Sequence, residues 1–486
     1  MISCDSSTAL LQPGVRAAQL KVPGSAREVN MVKAQHCAFV PTVAALMTFQ
    51  AALAGGPSTG NTPLTQLGTG TYLGFQGGLY PGGLNTPPAA HLADAMTLGA
   101  QIVPRNAAGS PDPVNGRIVF ISIGISNTTH EFGVFERQED LNPNRNARVI
   151  VLTCSHGGQT ASMISSPAAS YWPLVQSKLT AAGVTSQQVQ AAWVKEANAQ
   201  PPNNFPVHAQ QLRDDMRGVV QVLHDTFPNL RLCYLSSRIY GGYSPAGSLN
   251  PEPQAYEGGF AMKWLIENQI NGDPALNYNA DSGPVEAPLL LWGPYLWADG
   301  VIRRDDGLTW LQSDMEADNV HPSPSGEQKV ANLLSAFMAG DPTVQPWYSS
   351  SAPSAAGVHL VAVNANAHAT VNAASPNGTF GLQNILTTVG NPSPQNSYMR
   401  FDVSAVRRPL LYAKLNLRVT TTATGGGSAS LVNDTGWDEP TITYNTAPPI
   451  STLVSSVAVV SRDGDANAVA TSTVNADVDG VVSLAL

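Results

Sequence analysis

Four short stretches hold residue types that together could carry out acyl transfer. "ISIGISNTTHEF" (121–132) sets Ser126 directly after an apolar, β-branched run, and "SHGGQTA" sets Gly157 and Gly158 after a second run. "AWVKEANAQPP" sets Asn198 after a third, and "DNVHPSPSG" places Asp318 three residues before His321. Each stretch alone is common; together they supply the parts that acyl transfer needs. Those parts are a nucleophile, a base, a group that orients the base, and donors for the oxyanion. Ser126 is the candidate nucleophile and His321 the candidate base. Asp318 is the candidate partner of the other imidazole nitrogen, fixing the tautomer and stabilising the imidazolium. The backbone N–H groups of Ser126 and Gly158 and the Asn198 side-chain amide are the candidate oxyanion donors. Gly157 and Gly158 permit a tight turn that exposes backbone N–H.

These residues need a frame. Short Val/Ile/Leu-rich runs at 118–124, 149–154, 189–195, 230–236 and 289–292 are apolar on both faces, as buried parallel strands are. Helical patterns lie between them. Leu212, Met216, Val219, Val220, Leu223 and Phe227 share one stripe, and "SGEQKVANLLSAFMAG" repeats the pattern with Val330, Leu333, Leu334 and Phe337. This alternation predicts an α/β three-layer sandwich with a mainly parallel, flavodoxin-like sheet. Sites in such sheets form beyond the carboxyl ends of the strands, where Ser126, Gly158 and Asn198 would stand.

The chain has 486 residues, of which 43% are hydrophobic and only 12% charged, with a formal net charge of −9. No Lys/Arg-rich run occurs, which excludes nucleic acid as an expected partner. "MVKAQHCAFVPTVAALMTFQAALAGG" has a basic lead at Lys33, a short apolar core and an Ala-x-Ala site at Ala52–Ala54. That layout predicts a signal segment at 31–54, a mature chain starting near Gly55, and secretion; residues 1–30 would then precede the true start. The apolar run is too short for a stable membrane anchor, which needs about 20 residues. Segment 55–115 is Gly/Pro-rich and reads as a looped arm packed on the α/β domain, which spans 55–342. A Pro/Ser/Ala stretch at 343–356 reads as a linker. From 357 to 486, short Val/Thr/Ala-rich alternating runs separated by Gly, Asn, Asp and Pro predict an all-β, jelly-roll-like sandwich. Cys154 and Cys233 end apolar runs and leave thiol or disulfide open.

The ordered set Ser126, Gly158, Asn198, His321, with Asp318 three before the histidine, resembles the SGNH (GDSL-type) hydrolase superfamily; the "DNVHPSPSG" block is its most specific piece. "SSRIYGGY", "WGPYLWADG" and "DGLTWLQSD" resemble an exported bacterial subgroup. Two positions depart from the family pattern: Ile125 stands where an aspartate is usual, and Glu196 where a glycine is usual. The resemblance spans about residues 60–348 and implies ester hydrolysis without metal or cofactor, often on acylated polysaccharide. The tail resembles the DNRLRE-type sandwich, similar to a carbohydrate-binding module, through "SYMRFDVSAV" and "GWDEPTITYNTAPP", with Arg400, Asp402, Trp437 and Glu439 at its motif positions.

The expected function is an exported serine esterase that removes acyl groups, acetyl first among them, from carbohydrate. Alternatives are a non-catalytic carbohydrate-binding protein on a degenerate hydrolase fold, or a lipid or simple-ester hydrolase. Asn127, Tyr240, Tyr295, Trp297 and Trp310 are candidates to line a substrate cleft, although large aromatics are more commonly core. His130 and His156 flank the site as polar loop residues. "DGDAN" (463–467) lacks the distal glutamate of a calcium loop and reads as a turn. Oligomeric state is not legible.

Overall fold

A computed structural model describes residues 2–3, 56–201, 203–353, 361–404, 406, 413–418, 427–432, 434–460, 467–472 and 481–485. The signal segment at 31–54 and nearly all of "DGDAN" lie outside the described residues.

Five strands, β1 (Ile118–Gly124), β2 (Val149–Thr153), β3 (Val189–Lys195), β4 (Leu232–Ser236) and β5 (Leu289–Trp292), form a sheet in the order β2-β1-β3-β4-β5. Every pairing in it is parallel. All residues of β1, β3, β4 and β5 are buried. Burial on both faces is why these strands read as continuous apolar runs. Among the described residues, six helices of more than ten residues accompany the sheet: α1 (Ala89–Ala100), α2 (Ser126–Asp140), α3 (Tyr171–Ala181), α4 (Val207–Thr226), α5 (Gln254–Ile270) and α6 (Pro324–Gly340). α2 packs on α6, and α4 packs on α5. α4 buries the expected stripe of Leu212, Met216, Val219, Val220 and Leu223.

The chain runs from β1 outward to β2 and then returns past β1 to β3. Connections therefore leave the sheet in opposite directions around β1, which opens a crevice at the carboxyl ends of these three strands. The loops after β1, β2 and β3 carry Ser126, Gly157–Gly158 and Asn198.

Two expectations are corrected. Segment 55–115 is not all loop: it contains α1 and a small hairpin, Thr71–Tyr72 with Phe75–Gln76. Only His91, Ala95 and Gly99 of α1 are buried, so its small, weakly apolar face gave little periodic signal. The segment is stitched down at Asp299, whose carboxylate accepts from Ser58 Oγ (2.5 Å), Thr59 N (2.6 Å), Thr59 Oγ1 (2.7 Å) and Gly60 N (2.9 Å). The stretch 343–356 is also not simply a linker. Gln345–Tyr348 forms a helical turn with Trp347 and Tyr348 buried. Asn146 donates from its backbone to Tyr348 O (2.7 Å) and from its side chain to Trp347 O (2.9 Å). Two aromatics inside a Pro/Ser-rich run were enough to pull its first half into the core.

Seven further strands form an antiparallel β region: β6 (Ala365–Asn372), β7 (Gln395–Asp402), β8 (Ala413–Arg418), β9 (Gly427–Val432), β10 (Ile450–Val460), β11 (Asn467–Ser472) and β12 (Val481–Ala485). Their order is β8-β11-β10-β9-β12-β7-β6. β10 pairs with β9 along its first part and with β11 from Ala458 to Val460, so one long strand serves two neighbours in turn. Ala367, Ala369, Val371, Tyr398, Val432, Trp437 and Ile442 form a separate core. Among the described residues, no helix is long and apolar enough to cross a membrane.

Candidate active site

β1 ends at Gly124, where a Cβ would collide with Lys195 O and the Thr128 side chain, so only glycine fits the turn. Ser126 then opens α2 as its first residue. Three bonds fix this strand-to-helix junction. Gly124 N donates to Tyr171 Oη (3.1 Å), Thr128 Oγ1 donates to Lys195 O (2.7 Å), and Thr129 N donates to Ile125 O (3.0 Å).

Ser126 Oγ lies 2.8 Å from His321 Nε2, and His321 Nδ1 lies 2.5 Å from Asp318 Oδ2. Asp318 Oδ1 accepts from Val320 N (2.9 Å) and His321 N (3.0 Å), so the aspartate also closes the turn that carries the histidine. Partial burial pushes the Asp318 carboxyl upward, but the hydrogen bonds from the His321 ring, His321 N and Val320 N outweigh it and hold the group below its ordinary value. An ionised aspartate facing Nδ1–H leaves Nε2 free to accept a proton from the serine.

The glycine turn after β2 is held against β1 by His156 N donating to Gly124 O (2.9 Å). Gly157, which the sequence reading used only for its flexibility, is the glycine beside the serine: a Cβ there would lie 3.5 Å from Ser126 Cβ. Gly158 has φ +73 and open space around its Cβ position, so it supplies the left-handed step of the turn. Burial, helped by the Lys178 ammonium, lowers the pKa of His156.

Asn198 is differently employed from the expectation. Its Oδ1 accepts from Ser162 N (2.9 Å) and its Nδ2 donates to Asp215 Oδ2 (2.6 Å), which ties the loop after β3 to the helical turn Ala161–Ile164 and to α4. Its oxygen and one amide hydrogen are thus committed away from Ser126. Asp215 could not be found from sequence, because it is one acid among several on the polar side of α4.

The expected cleft-lining residues are corrected. Asn127, Trp297 and Trp310 are 0% exposed, Tyr240 2% and Tyr295 5%. Their polar tips serve internal partners: Tyr240 Oη donates to Gly56 O, Tyr295 Oη accepts from Leu64 N, Trp297 Nε1 donates to Glu252 and Trp310 Nε1 to Leu296 O. Tyr240 and Tyr295 tie down the 56–64 arm, and Trp297 and Trp310 are packed inside.

His130, expected as a polar loop residue beside the site, is instead buried in α2 with its ring 5.2 Å from the His321 ring. Beneath α2, Lys195 and Glu131 form a fully buried ion pair. Burial lowers the Lys195 pKa to about 8 against the pull of Glu131, and burial raises Glu196 well above a normal carboxyl. Burial thus favours the neutral form of Glu196, which stands where the resembled sequence pattern has a glycine. Donor atoms of His130, Glu316 and Glu327, and of Glu316, Asp318 and His321, each lie within 4.8 Å of one another, close enough to hold a cation. The second set would compete with proton transfer at His321. Cys154 and Cys233 are buried free thiols, and burial pushes Cys154 up to about 12.

Residues 359–486 match carbohydrate-binding module family 96. No curated protein sequence matches the chain. Solved structures with some likeness include a Bacteroides fragilis protein assigned as an acylhydrolase, 13% identical over 52% of this chain and 97% of that one, with a TM-score of 0.26. Another is the periplasmic domain of a lipopolysaccharide acetyltransferase of Salmonella ser. Paratyphi A, 11% identical over 52% of this chain and 96% of that one, TM-score 0.27. A gut microbial diltiazem-metabolizing enzyme is 14% identical over 47% of this chain and 48% of that one, TM-score 0.26. At these values the likenesses carry no functional inference.

Proposed function

We propose that the chain is a serine esterase that hydrolyses carboxylic esters, acetyl esters of carbohydrate in particular, through Ser126, His321 and Asp318. The observation that carries this reading is the unbroken line from Ser126 Oγ through the His321 ring to Asp318. In the first half-reaction Ser126 Oγ attacks the ester carbonyl while His321 Nε2 takes its proton. The N–H groups of Ser126 and of the Gly157–Gly158 turn are the nearest candidates to receive the oxyanion. Collapse breaks the acyl C–O bond, and His321 returns the proton to the departing sugar hydroxyl. Water then attacks the acyl-serine with His321 again as base, releasing the acid and restoring Ser126.

The carbohydrate half of the proposal is supported by the match of residues 359–486 to a carbohydrate-binding module family. Export through the 31–54 segment completes the reading, and amino-terminal sequencing of protein recovered from the medium tests it. For activity, acid release from p-nitrophenyl acetate and from acetylated xylan is compared in the parent and in Ser126→Ala. Turnover in the parent that falls at least about 10,000-fold in the variant is the expected result. A parent inert towards both and towards longer acyl esters overturns the reading.

A further inference from the structure

The turn that carries His321 is held by side chains from outside itself at two consecutive carbonyls. Within the turn, Glu316 N donates to His321 O (2.8 Å), Asn319 N donates to Glu316 O (2.9 Å), and Asn319 takes a left-handed φ of +56. Those bonds shape residues 316–321 but do not fix where the turn sits against Ser126. From one side Asn127 Nδ2 donates to Val320 O (3.1 Å). From another, Ser244 Oγ donates to Asn319 O (2.9 Å). Both donors are buried, Asn127 at 0% and Ser244 at 4% exposure.

Asn127 is the more telling of the two. It directly follows the serine in α2, so its bond to Val320 links the residue next to the nucleophile with the residue next to the base. Its Oδ1 is buried with no hydrogen-bond partner among the described residues. A buried amide with one end unpaired costs stability relative to an apolar side chain of the same shape. A site that keeps such a group against its own stability is a place to look for function.

Resting on the esterase reading above, we infer that Asn127 and Ser244 are positioning residues that clamp the Val320 and Asn319 carbonyls and so hold His321 Nε2 within hydrogen-bond reach of Ser126. The Asp318–His321 pair lies wholly within the turn and survives release of the clamp. What is lost is the turn's registration against α2. A displacement of about 1 Å at a reacting pair can cost about 100-fold in rate.

The test compares the parent with Asn127→Leu, Asn127→Asp, Ser244→Ala and the Asn127→Leu/Ser244→Ala double variant. Five readouts are taken: thermal stability, kcat, KM, the pH profile of kcat/KM, and amide hydrogen exchange across residues 316–321. Asn127→Leu is expected to fold with a somewhat lowered melting temperature, from the Val320 carbonyl left without its donor, while kcat falls about 10- to 100-fold. KM and the acid limb of the pH profile stay in place, because the Asp318–His321 pair is intact. Asn127→Asp, isosteric but without the donor at neutral pH, loses kcat similarly. The double variant is hardly worse than the worse single, since one release already frees the turn. Exchange at 316–321 rises in all four variants. An Asn127→Leu protein within twofold of parental kcat overturns the inference, as does a kcat loss accompanied by a shifted acid limb. If Asn127→Leu does not fold, Asn127→Asp and Ser244→Ala decide by the same criteria. If the parent hydrolyses no ester, the esterase reading fails, and exchange at 316–321 alone decides the clamp: unchanged exchange in the variants removes it.

Discussion

The carboxyl edge of the parallel sheet and the motif residues of the carboxyl-terminal β region both drew attention as sequence, and the structure uses them in opposite ways. At the sheet edge, Ser126, His321 and Asp318 form a directed line, and the side chains of His321 and Asp318 keep 19% and 46% exposure. In the β region, Arg400 stacks over Trp437 (5.2 Å to the ring centroid) and donates to Thr435 O (3.1 Å) and Trp437 O (2.7 Å). Trp437 is itself buried against Tyr398, Glu439 pairs with His368 at 2.8 Å, and Asp402 accepts from Ser404 N. The first group spends its hydrogen bonds on one another while His321 and Asp318 stay partly exposed. In the second, Arg400 spends its on and beside the core residue Trp437, Glu439 on His368, and exposed Asp402 on a local turn. A motif residue is a candidate for chemistry when its reactive atom is poised and reachable, and a candidate for architecture when every polar atom already has an internal partner.

The sharpest way to break this contrast is Asp318→Asn. If the line is functional, kcat falls about 10,000-fold in steady-state assays while the fold, read by circular dichroism, stays intact. The carboxylate also sets an acid limit. Because its pKa is depressed in the folded protein, its contribution is full above the ordinary carboxylate range. It is lost only as pH falls through that lowered value. Trp437→Ala should act in the other direction: about 3–5 kcal/mol of stability lost from the β region in denaturant melts, with kcat on p-nitrophenyl acetate unchanged. Selective loss of polysaccharide retention with no loss of stability would move Trp437 from architecture to recognition. The smallest effect is expected at Asn198→Ala. A fully engaged oxyanion donor is worth about 100- to 1,000-fold in kcat. The commitment of Asn198 to Asp215 and Ser162 predicts less than about tenfold. A larger drop would return Asn198 to the oxyanion site.

The parallel sheet was legible because strands buried on both faces are mostly apolar, as Ile118–Gly124 is apart from Ser122. That Ser126, His321 and Asp318 come together was legible from residue type, from the strand-end position of Ser126 and from the Asp-x-x-His spacing in the loop before α6. Asn127 and Asn198 were misread for a common reason. An asparagine's role depends on which of its two ends meets a partner, and those partners, Val320 O and Asp215, lie 193 and 17 residues away. The aromatics at 240, 295, 297 and 310 were open to both readings, since Tyr and Trp suit sugar stacking and core packing alike. Tyr240 and Tyr295 are tied to the arm at 56–64, at Gly56 O and Leu64 N, contacts that no local pattern announces.

That arm has a consequence for the order of events in synthesis. Ser58, Thr59 and Gly60 dock on Asp299 across some 240 residues of chain, a contact that cannot form until the far partner has left the ribosome. Contacts of such high sequence separation close late, because loop entropy must be overcome first. Residues 58–60 therefore lack this partner until Asp299 has been made, and docking of the strap would mark the completion of the α/β region.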